Sequence, residues 1–188
     1  MFYVNHKCVP VDDPTATHFK AKSIFIDDIG LPLSNVFTLL DDKSTKGHDT
    51  EANVYEQRMR DMKSLPVGGG FPVIDMIVLG MGIDGHIGSL YAGRKEVMNT
   101  EKWVLSVDKK SPSSITLSLP VINNAKDIRV VLMGADKAEA ALIGVTKRKT
   151  ASDFPVCGIV SDSKTTWMID EPCASLLKSS GIAVVSEV

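Results

Sequence analysis

The chain has 188 residues, of which 44% are hydrophobic and 23% charged, and its formal net charge at pH 7 is −2. This composition predicts a single globular domain over residues 1–188, long enough to bury about two thirds of the surface that the unfolded chain exposes. The nearly balanced charge, with no basic cluster, argues against nucleic acid or an anionic membrane as the partner. No stretch approaches the roughly 20 apolar residues of a membrane span.

The cysteines and histidines give no sign of a disulfide framework or a metal centre. Cys8, Cys157 and Cys173 are an odd number of scattered thiols, which favours a reducing compartment. The amino terminus has no cationic segment leading into an apolar one, so we expect a cytoplasmic protein. The four histidines lack the paired spacing of metal ligands, and we expect neither a metal nor another cofactor.

Hydrophobic periodicity in the first half of the chain predicts alternating strands and helices. An abrupt strand at residues 1–4 is followed by a helix at 15–28 and a short strand at 35–40. Acidic residues and lysines at 41–50 predict a solvated loop. An amphipathic helix is predicted at 50–65, and the triple glycine at 68–70 reads as a flexible connection rather than a phosphate loop, because a strand and not a helix follows it.

The second half continues this alternation. Strands are predicted at residues 73–80, 103–108, 114–119, 127–133 and 165–169, with a helix at 136–145. Asp170 as N-cap and Pro172 in the first turn mark the start of a last helix. This order predicts an α/β fold of three layers, a mostly parallel sheet flanked by helices, to which residues 103–119 add an antiparallel element.

The most informative segment joins the strand at 73–80 to the loop Gly-Met-Gly-Ile-Asp-Gly-His-Ile-Gly-Ser, residues 80–89. Ligands bind at the carboxyl ends of strands in open α/β sheets, and this loop places Asp84 and His86 there. An imidazole can accept a proton near neutral pH, and a carboxylate two residues away can fix its tautomer. An ordinary glycine-rich turn is the alternative that the residues themselves leave open.

The run from Phe71 to Tyr91, which contains this loop, resembles the signature of the 6-phosphogluconolactonases, a group within the glucosamine-6-phosphate isomerase/deaminase-like superfamily. Further blocks resemble the family in the same order. They begin at Phe2 (Phe-Tyr-Val-Asn-His-Lys), Ile115 (Ile-Thr-Leu-Ser-Leu-Pro), Val131 (Val-Leu-Met-Gly-Ala-Asp-Lys), Phe154 (Phe-Pro-Val-Cys-Gly) and Trp167 (Trp-Met-Ile-Asp-Glu-Pro). The resemblance covers nearly the whole chain.

The resemblance implies a NagB/RpiA/CoA-transferase-like fold and a reaction. That reaction hydrolyses 6-phospho-D-glucono-1,5-lactone to 6-phosphogluconate in the oxidative pentose phosphate pathway, with no cofactor. His86 would activate water and Asp84 would assist it. Lys137 and Lys7 would hold the substrate phosphate, and the backbone of the loop at Gly82 and Gly85 would stabilise the developing oxyanion.

The chain departs from the family pattern at several positions. Asn5, His6 and Lys7 stand where the family usually has Asp-Glu-Arg, so Lys7 keeps a positive charge but loses the bidentate fork of arginine. Ser114 replaces a second arginine. The chain also starts after the family's first strand and phosphate-cradling loop, which predicts an N-terminally truncated domain with weakened phosphate binding.

Four alternatives follow from these departures. The chain is an active lactonase with altered binding, a non-catalytic binding or scaffold homologue, or part of a bifunctional glucose-6-phosphate dehydrogenase/lactonase of the endoplasmic reticulum lumen. The fourth alternative is an amino sugar phosphate deaminase, which the loop motif disfavours. Loss of a first strand and helix would leave apolar sheet surface uncovered, so the chain is also expected to form homo-oligomers.

Overall fold

A computed structural model gives the structure of the protein over residues 1–40, 47–160 and 165–185. Most of the solvated loop predicted at 41–50 lies outside these residues. The helices are α1 (Thr17–Ala21, continued by a π-helix at Lys22–Ile26), α2 (His48–Arg60), α3 (Leu119–Asn123), α4 (Ala138–Thr146) and α5 (Ser175–Ser179). The strands are β1 (Asn5–Lys7), β2 (Val67–Gly68), β3 (Phe71–Pro72), β4 (Met76–Gly80), β5 (Val104–Val107), β6 (Ser114–Leu117), β7 (Asp127–Leu132) and β8 (Thr165–Ile169).

A parallel sheet in the order β4-β7-β8 positions the segments that carry the predicted site. In its register Leu79 lies beside Val130, which lies beside Trp167. Helix α4 packs close to β8, since a Cβ atom on Gly144 would lie 2.6 Å from the Trp167 ring. The predicted α/β class, with a parallel sheet and flanking helices, is confirmed.

A second, antiparallel sheet in the order β1-β6-β5 lies beside the parallel one. Helix α2 covers this sheet, and the Glu56 carboxylate accepts hydrogen bonds from the backbone N–H groups of Trp103 and Val104 at 2.9 and 3.0 Å. The buried side chains of both sheets form one hydrophobic cluster. The antiparallel element predicted at residues 103–119 is therefore confirmed.

The triple glycine is not the flexible connection that its composition predicts. It forms the turn of a hairpin between β2 and β3, with φ of +60° at Gly69 and +86° at Gly70. Two successive residues with positive φ suit the tight turns of hairpins. The Trp103 indole N–H donates to the Gly70 carbonyl at 2.8 Å, and the Asn124 amide donates to the Gly68 carbonyl at 3.0 Å. Distant side chains thus hold this turn in place.

Several element boundaries also differ from the sequence prediction. Helix α2 ends at Arg60 rather than at residue 65. In the predicted strands at 1–4 and 35–40, a single parallel bridge joins Phe2 to Phe37. The predicted last helix begins at Ser175, while the Asp170 carboxylate accepts from the backbone N–H of Cys173 at 3.0 Å in the turn before it. Short elements of this kind are determined by packing rather than by periodicity.

The outer edge of β4 has no strand partner among the described residues. On this strand Ile77 and Leu79 are buried, whereas the alternate side chains of Met76 and Val78 are 46% and 57% exposed. A cavity of about 750 Å³ separates this edge from residues 1–5. The structure thus shows uncovered apolar surface, and self-association through it stays a prediction. No helix in the described part of the chain is long and apolar enough to cross a membrane.

His6 is a buried titratable group, 1% exposed, on β1. Its Nδ1–H donates to the Lys7 carbonyl at 2.8 Å, and its Nε2 has no hydrogen-bond partner among the described residues. Burial lowers the pKa of His6, outweighing the effect of the Lys7 carbonyl, and the nearby His18 lowers it further. A proton on this imidazole therefore destabilises the folded state relative to the unfolded chain.

We expect the free energy of unfolding to decrease as the pH falls below about 6.5, the pKa of an unfolded histidine. As the pH falls, the unfolded chain binds the proton before the folded protein does. The free energy of unfolding therefore keeps decreasing until the pH reaches the lowered pKa of His6 in the folded state. One such group contributes a slope of at most about 1.4 kcal/mol per pH unit. Urea denaturation between pH 7.5 and 5.5 measures it. His6→Gln should show a shallower slope, and equal slopes in the two proteins would contradict the prediction.

Candidate active site

The loop after β4 is folded by its own backbone hydrogen bonds. The Gly82 N–H donates to the His86 carbonyl at 3.0 Å, and the Gly85 N–H donates to the Gly82 carbonyl at 2.9 Å. Gly85 has a φ of +77°, and a Cβ atom there would lie 2.3 Å from the Phe154 ring. Glycine is required at this position by both conformation and space. The loop can therefore present its polar side chains directly at the end of the strand.

Asp84 and His86 form a hydrogen-bonded pair on this loop. The His86 Nδ1–H donates to Asp84 Oδ1 at 2.5 Å, and the His86 backbone N–H approaches the same oxygen at 3.3 Å. The side chains are 30% exposed for His86 and 48% exposed for Asp84. Partial burial raises the pKa of Asp84, but the hydrogen bonds and charge of His86 together lower it below its usual value. The carboxylate is thus ionised at neutral pH and fixes the imidazole tautomer.

A pocket of about 450 Å³ opens beside this pair. Lys137, from the turn that precedes α4, reaches the same pocket, and its Nζ donates to the Met81 carbonyl at 3.3 Å. The turn is held by Asp170, whose carboxylate accepts from the Gly134 N–H at 3.0 Å. The amino-terminal end of α4 adds partial positive charge next to the Lys137 ammonium group. This arrangement suits an anionic ligand.

The structure places the other three predicted site residues, Gly82, Gly85 and Lys7, in different surroundings. Gly82 lines the pocket, whereas Gly85 is buried behind the loop. The N–H groups of both glycines are engaged within the loop, so their clearest contribution is the space they leave. Lys7 lies on β1 opposite Ser114 and is not among the residues that line the pocket.

Two of the positions that depart from the family pattern, Asn5 and Ser114, meet in a neutral network behind the loop. The Asn5 amide donates to the Ser89 hydroxyl at 3.2 Å, and the Ser114 hydroxyl approaches the same oxygen at 3.0 Å. Ser89 is only 2% exposed, and Asn5 also lines the pocket. Sequence reasoning missed Ser89, because nothing in the local sequence shows that strands β1 and β6 meet behind it.

Sequence reasoning also missed Tyr91, which follows the loop and is buried. Its ring packs against the His86 imidazole with the ring centroids 4.8 Å apart and the planes at 36°. An aromatic residue directly after the motif was the only available signal. Among the described residues, no group of three His, Cys, Asp or Glu side chains is arranged to hold a metal ion.

The fold and the site together define an α/β protein with a hydrogen-bonded carboxylate–imidazole pair and a lysine at the carboxyl ends of parallel strands. The chain belongs to the family of glucosamine-6-phosphate isomerases/6-phosphogluconolactonase, which matches residues 1–167. This confirms the family resemblance seen in the sequence. Both activities in the family name concern sugar phosphates, in keeping with a pocket that suits an anionic ligand.

Individual relatives carry the lactonase name. The chain is 32% identical to a protein of rice, Oryza sativa, named probable 6-phosphogluconolactonase 4, chloroplastic, over 95% of this chain and 57% of the relative. It is 29% identical to the 6-phosphogluconolactonase of Mycobacterium tuberculosis, over 95% of this chain and 73% of the relative. The chain therefore spans little more than half the length of the rice protein.

Solved structures show the same fold. The crystal structure of the devB protein superposes with a TM-score of 0.77 at 26% identity, covering 93% of this chain and 72% of that one. The 6-phosphogluconolactonase of Trypanosoma brucei also gives a TM-score of 0.77, at 21% identity, covering 94% and 73% of the two chains. A monomeric glucosamine-6-phosphate deaminase gives 0.72 at 22% identity, with 93% and 73% covered. The last two likenesses establish the fold alone.

Proposed function

We propose that this chain is a 6-phosphogluconolactonase, a carboxylic ester hydrolase that converts 6-phospho-D-glucono-1,5-lactone to 6-phosphogluconate in the oxidative pentose phosphate pathway. The observation that carries the proposal is the Asp84–His86 pair, bonded at 2.5 Å, beside a pocket that His86 and Lys137 both line. The lactonase names of the relatives at 29–32% identity favour this activity over the deaminase.

The geometry of the pair supports a general-base mechanism. In the neutral imidazole, the Nδ1–H that donates to Asp84 leaves Nε2 as the ring nitrogen that can take a proton from water. The hydroxide equivalent adds to the lactone carbonyl, which forms a tetrahedral oxyanion. When the bond to the ring oxygen breaks, the His86 imidazolium returns the proton to that oxygen. The acyclic carboxylic acid is formed, and it releases a proton to solvent to become the carboxylate. Between the two proton transfers at His86, the Asp84 carboxylate stabilises the positive charge of the imidazolium.

Lys137 would bind the substrate phosphate as a point charge at the amino-terminal end of α4. Lys137→Met should raise KM about ten- to hundredfold, since hydrogen bonds to charged groups contribute about 1.5–3 kcal/mol. The effect on kcat should be small. Lys126→Met is the matched control, because the Lys126 side chain is 62% exposed and its ammonium group pairs with the exposed Asp75, away from the pocket. Equal KM values for the two variants in steady-state assays would contradict this role.

We also propose that residues 1–188 form one domain, supported by the hydrophobic cluster that both larger sheets share. A reducing compartment, the cytoplasm, is proposed from the three cysteines, each of which is free. The chloroplastic designation belongs to the rice relative.

The proposed activity is tested with freshly generated lactone, read through coupled 6-phosphogluconate dehydrogenase and corrected for spontaneous opening. Hydrolysis above the spontaneous rate, without ammonia release from glucosamine 6-phosphate, is the expected result. Ammonia release without lactone hydrolysis would identify the deaminase instead. Failure to accelerate either reaction, by protein with the circular dichroism of a folded α/β domain, would overturn the proposal for residues 1–188.

A further inference from the structure

The His86 imidazole is held at two places. Its Nδ1–H is bonded to Asp84, and its ring packs against Tyr91. The bond to Asp84 fixes one ring atom only, and the Asp84 side chain is 48% exposed. An imidazole bonded at one atom to an exposed carboxylate can still swing about that bond. The Tyr91 ring limits this motion, because it occupies the space beside the imidazole.

Tyr91 is itself held by a loop from the antiparallel sheet. It is 7% exposed, and the Lys109 ammonium nitrogen lies 4.2 Å from the centroid of its ring. The Lys110 nitrogen lies at 5.2 Å. Both distances are within the range in which a cation is attracted to an aromatic ring. These lysines follow β5, so the contact joins the β5–β6 loop to the side chain beside His86.

The same loop is tied to the segment that follows Tyr91. The Arg94 guanidinium is hydrogen-bonded to Asp108, directly before Lys109. Arg94 also donates to both carboxylate oxygens of Glu96 at 3.1 and 3.2 Å. Glu96 is 6% exposed, so one end of this arrangement is anchored in the interior. The connection therefore runs from Glu96 through Arg94 to Asp108, along the backbone to Lys109, and from Lys109 through the Tyr91 ring to the imidazole.

We propose that Tyr91 is a positioning residue for His86, and that the Arg94–Asp108 ion pair supports it by holding Lys109 over the Tyr91 ring. The proposal rests on the proposed lactonase function, in which His86 Nε2 must face the bound water. Tyr91 has no part in binding the phosphate, and its ring acts only on the orientation of the imidazole. Loss of the ring should therefore lower kcat and leave KM nearly unchanged.

Kinetics of three substitutions at this position test the proposal. Tyr91→Leu keeps an apolar side chain but removes the ring, and kcat should fall about ten- to hundredfold, the scale of a small misplacement of a reacting group. KM should change less than twofold. Tyr91→Phe keeps the ring and should retain the parental kcat. The kcat of Tyr91→Ala should fall at least as much as that of Tyr91→Leu. Parental kcat in Tyr91→Leu, or an equal loss in Tyr91→Phe, would overturn the proposal.

The ion pair is tested by Asp108→Asn, which should lower kcat severalfold through weaker support of Lys109. Asp75→Asn is its matched control. Asp75, like Asp108, is an exposed carboxylate in an ion pair, but its partner is Lys126 and the pair lies away from His86. Asp75→Asn should leave kcat unchanged. Equal kcat in the two asparagine variants would remove the ion pair from the proposal.

A spectroscopic measurement separates this proposal from the proposed function. The carbon-bound protons of the His86 ring should carry a ring-current shift in the parent and in Tyr91→Phe, and lose it in Tyr91→Leu. If the folded parent does not hydrolyse the lactone, the proposed function fails, but the His86 resonances still report on the packing. Unchanged His86 resonances in Tyr91→Leu would overturn the positioning role whether or not the chain is active.

Discussion

Replacement of His86 with alanine is expected to lower kcat for lactone hydrolysis by about 10²–10⁴-fold, the usual contribution of a positioned general base. The imidazole is the side chain of the Asp84–His86 pair that lines the pocket, and alanine leaves no group there to take the proton from water. KM should change little, because the phosphate is assigned to Lys137. Stopped assays with freshly generated lactone, corrected for spontaneous opening, measure the effect.

Two further substitutions define the role of His86. Asp84→Asn should lower kcat by less than His86→Ala, because the imidazole remains but loses the carboxylate that orients it and stabilises its charge. His48→Ala is the control, since His48 begins helix α2 and does not line the pocket. Parental kcat in His86→Ala would show that the catalytic base lies elsewhere, whatever the behaviour of the other variants.

Gly82→Ala is expected to be nearly as damaging, although it changes no polar group. A Cβ atom at this position would lie 2.2 Å from His86 Nδ1 and 2.7 Å from Asp84 Oδ1. Both distances are shorter than real Cβ contacts allow, so the imidazole and the carboxylate must move away from the added methyl group. A displacement of about 1 Å of a catalytic group can cost about a hundredfold in rate. We expect kcat to fall by that order, with a small change in Tm because both side chains are partly exposed.

Gly80→Ala is the matched control for this prediction. Gly80 lies two residues earlier on the same strand and loop, and a Cβ atom there would meet no heavy atom within 4 Å. The kcat of Gly80→Ala should stay within a few-fold of the parental value. The restricted backbone freedom of alanine is expected to have no larger effect than this. The same small change in both variants would show that the space at Gly82 does not matter for the pair.

Only those parts of the candidate site that depend on residues close together in the sequence could be predicted. Asp84 and His86 are two residues apart at the end of one strand, and the structure places them in direct contact, as the spacing suggested. Lys137 was expected at a turn before a helix and lies there, in the same pocket. Lys7 was assigned by family position alone, and it lies outside the pocket lining, whereas Asn5 on the same strand lines the pocket.

The sequence by itself determined the elements whose signal lies within a few residues. Short apolar runs rich in β-branched residues predict strands β4 and β7, since these residues are enriched in strands. The glycines after β4 predict a tight loop, because residues such as Gly85 adopt a positive φ that other side chains rarely reach. These signals depend on the steric properties of single residues and on the period of one element.

Only the tertiary structure decided which distant residues meet. The packing of Tyr91 under His86 and of Lys109 over Tyr91 depends on how the antiparallel sheet sits beside the parallel one. The hairpin at Gly69 and Gly70 is held by side chains from other parts of the chain, although its composition is that of a flexible connection. The physical reason is that such contacts join residues far apart in the chain, and the free energy that selects them comes from burying the whole core rather than from any local preference.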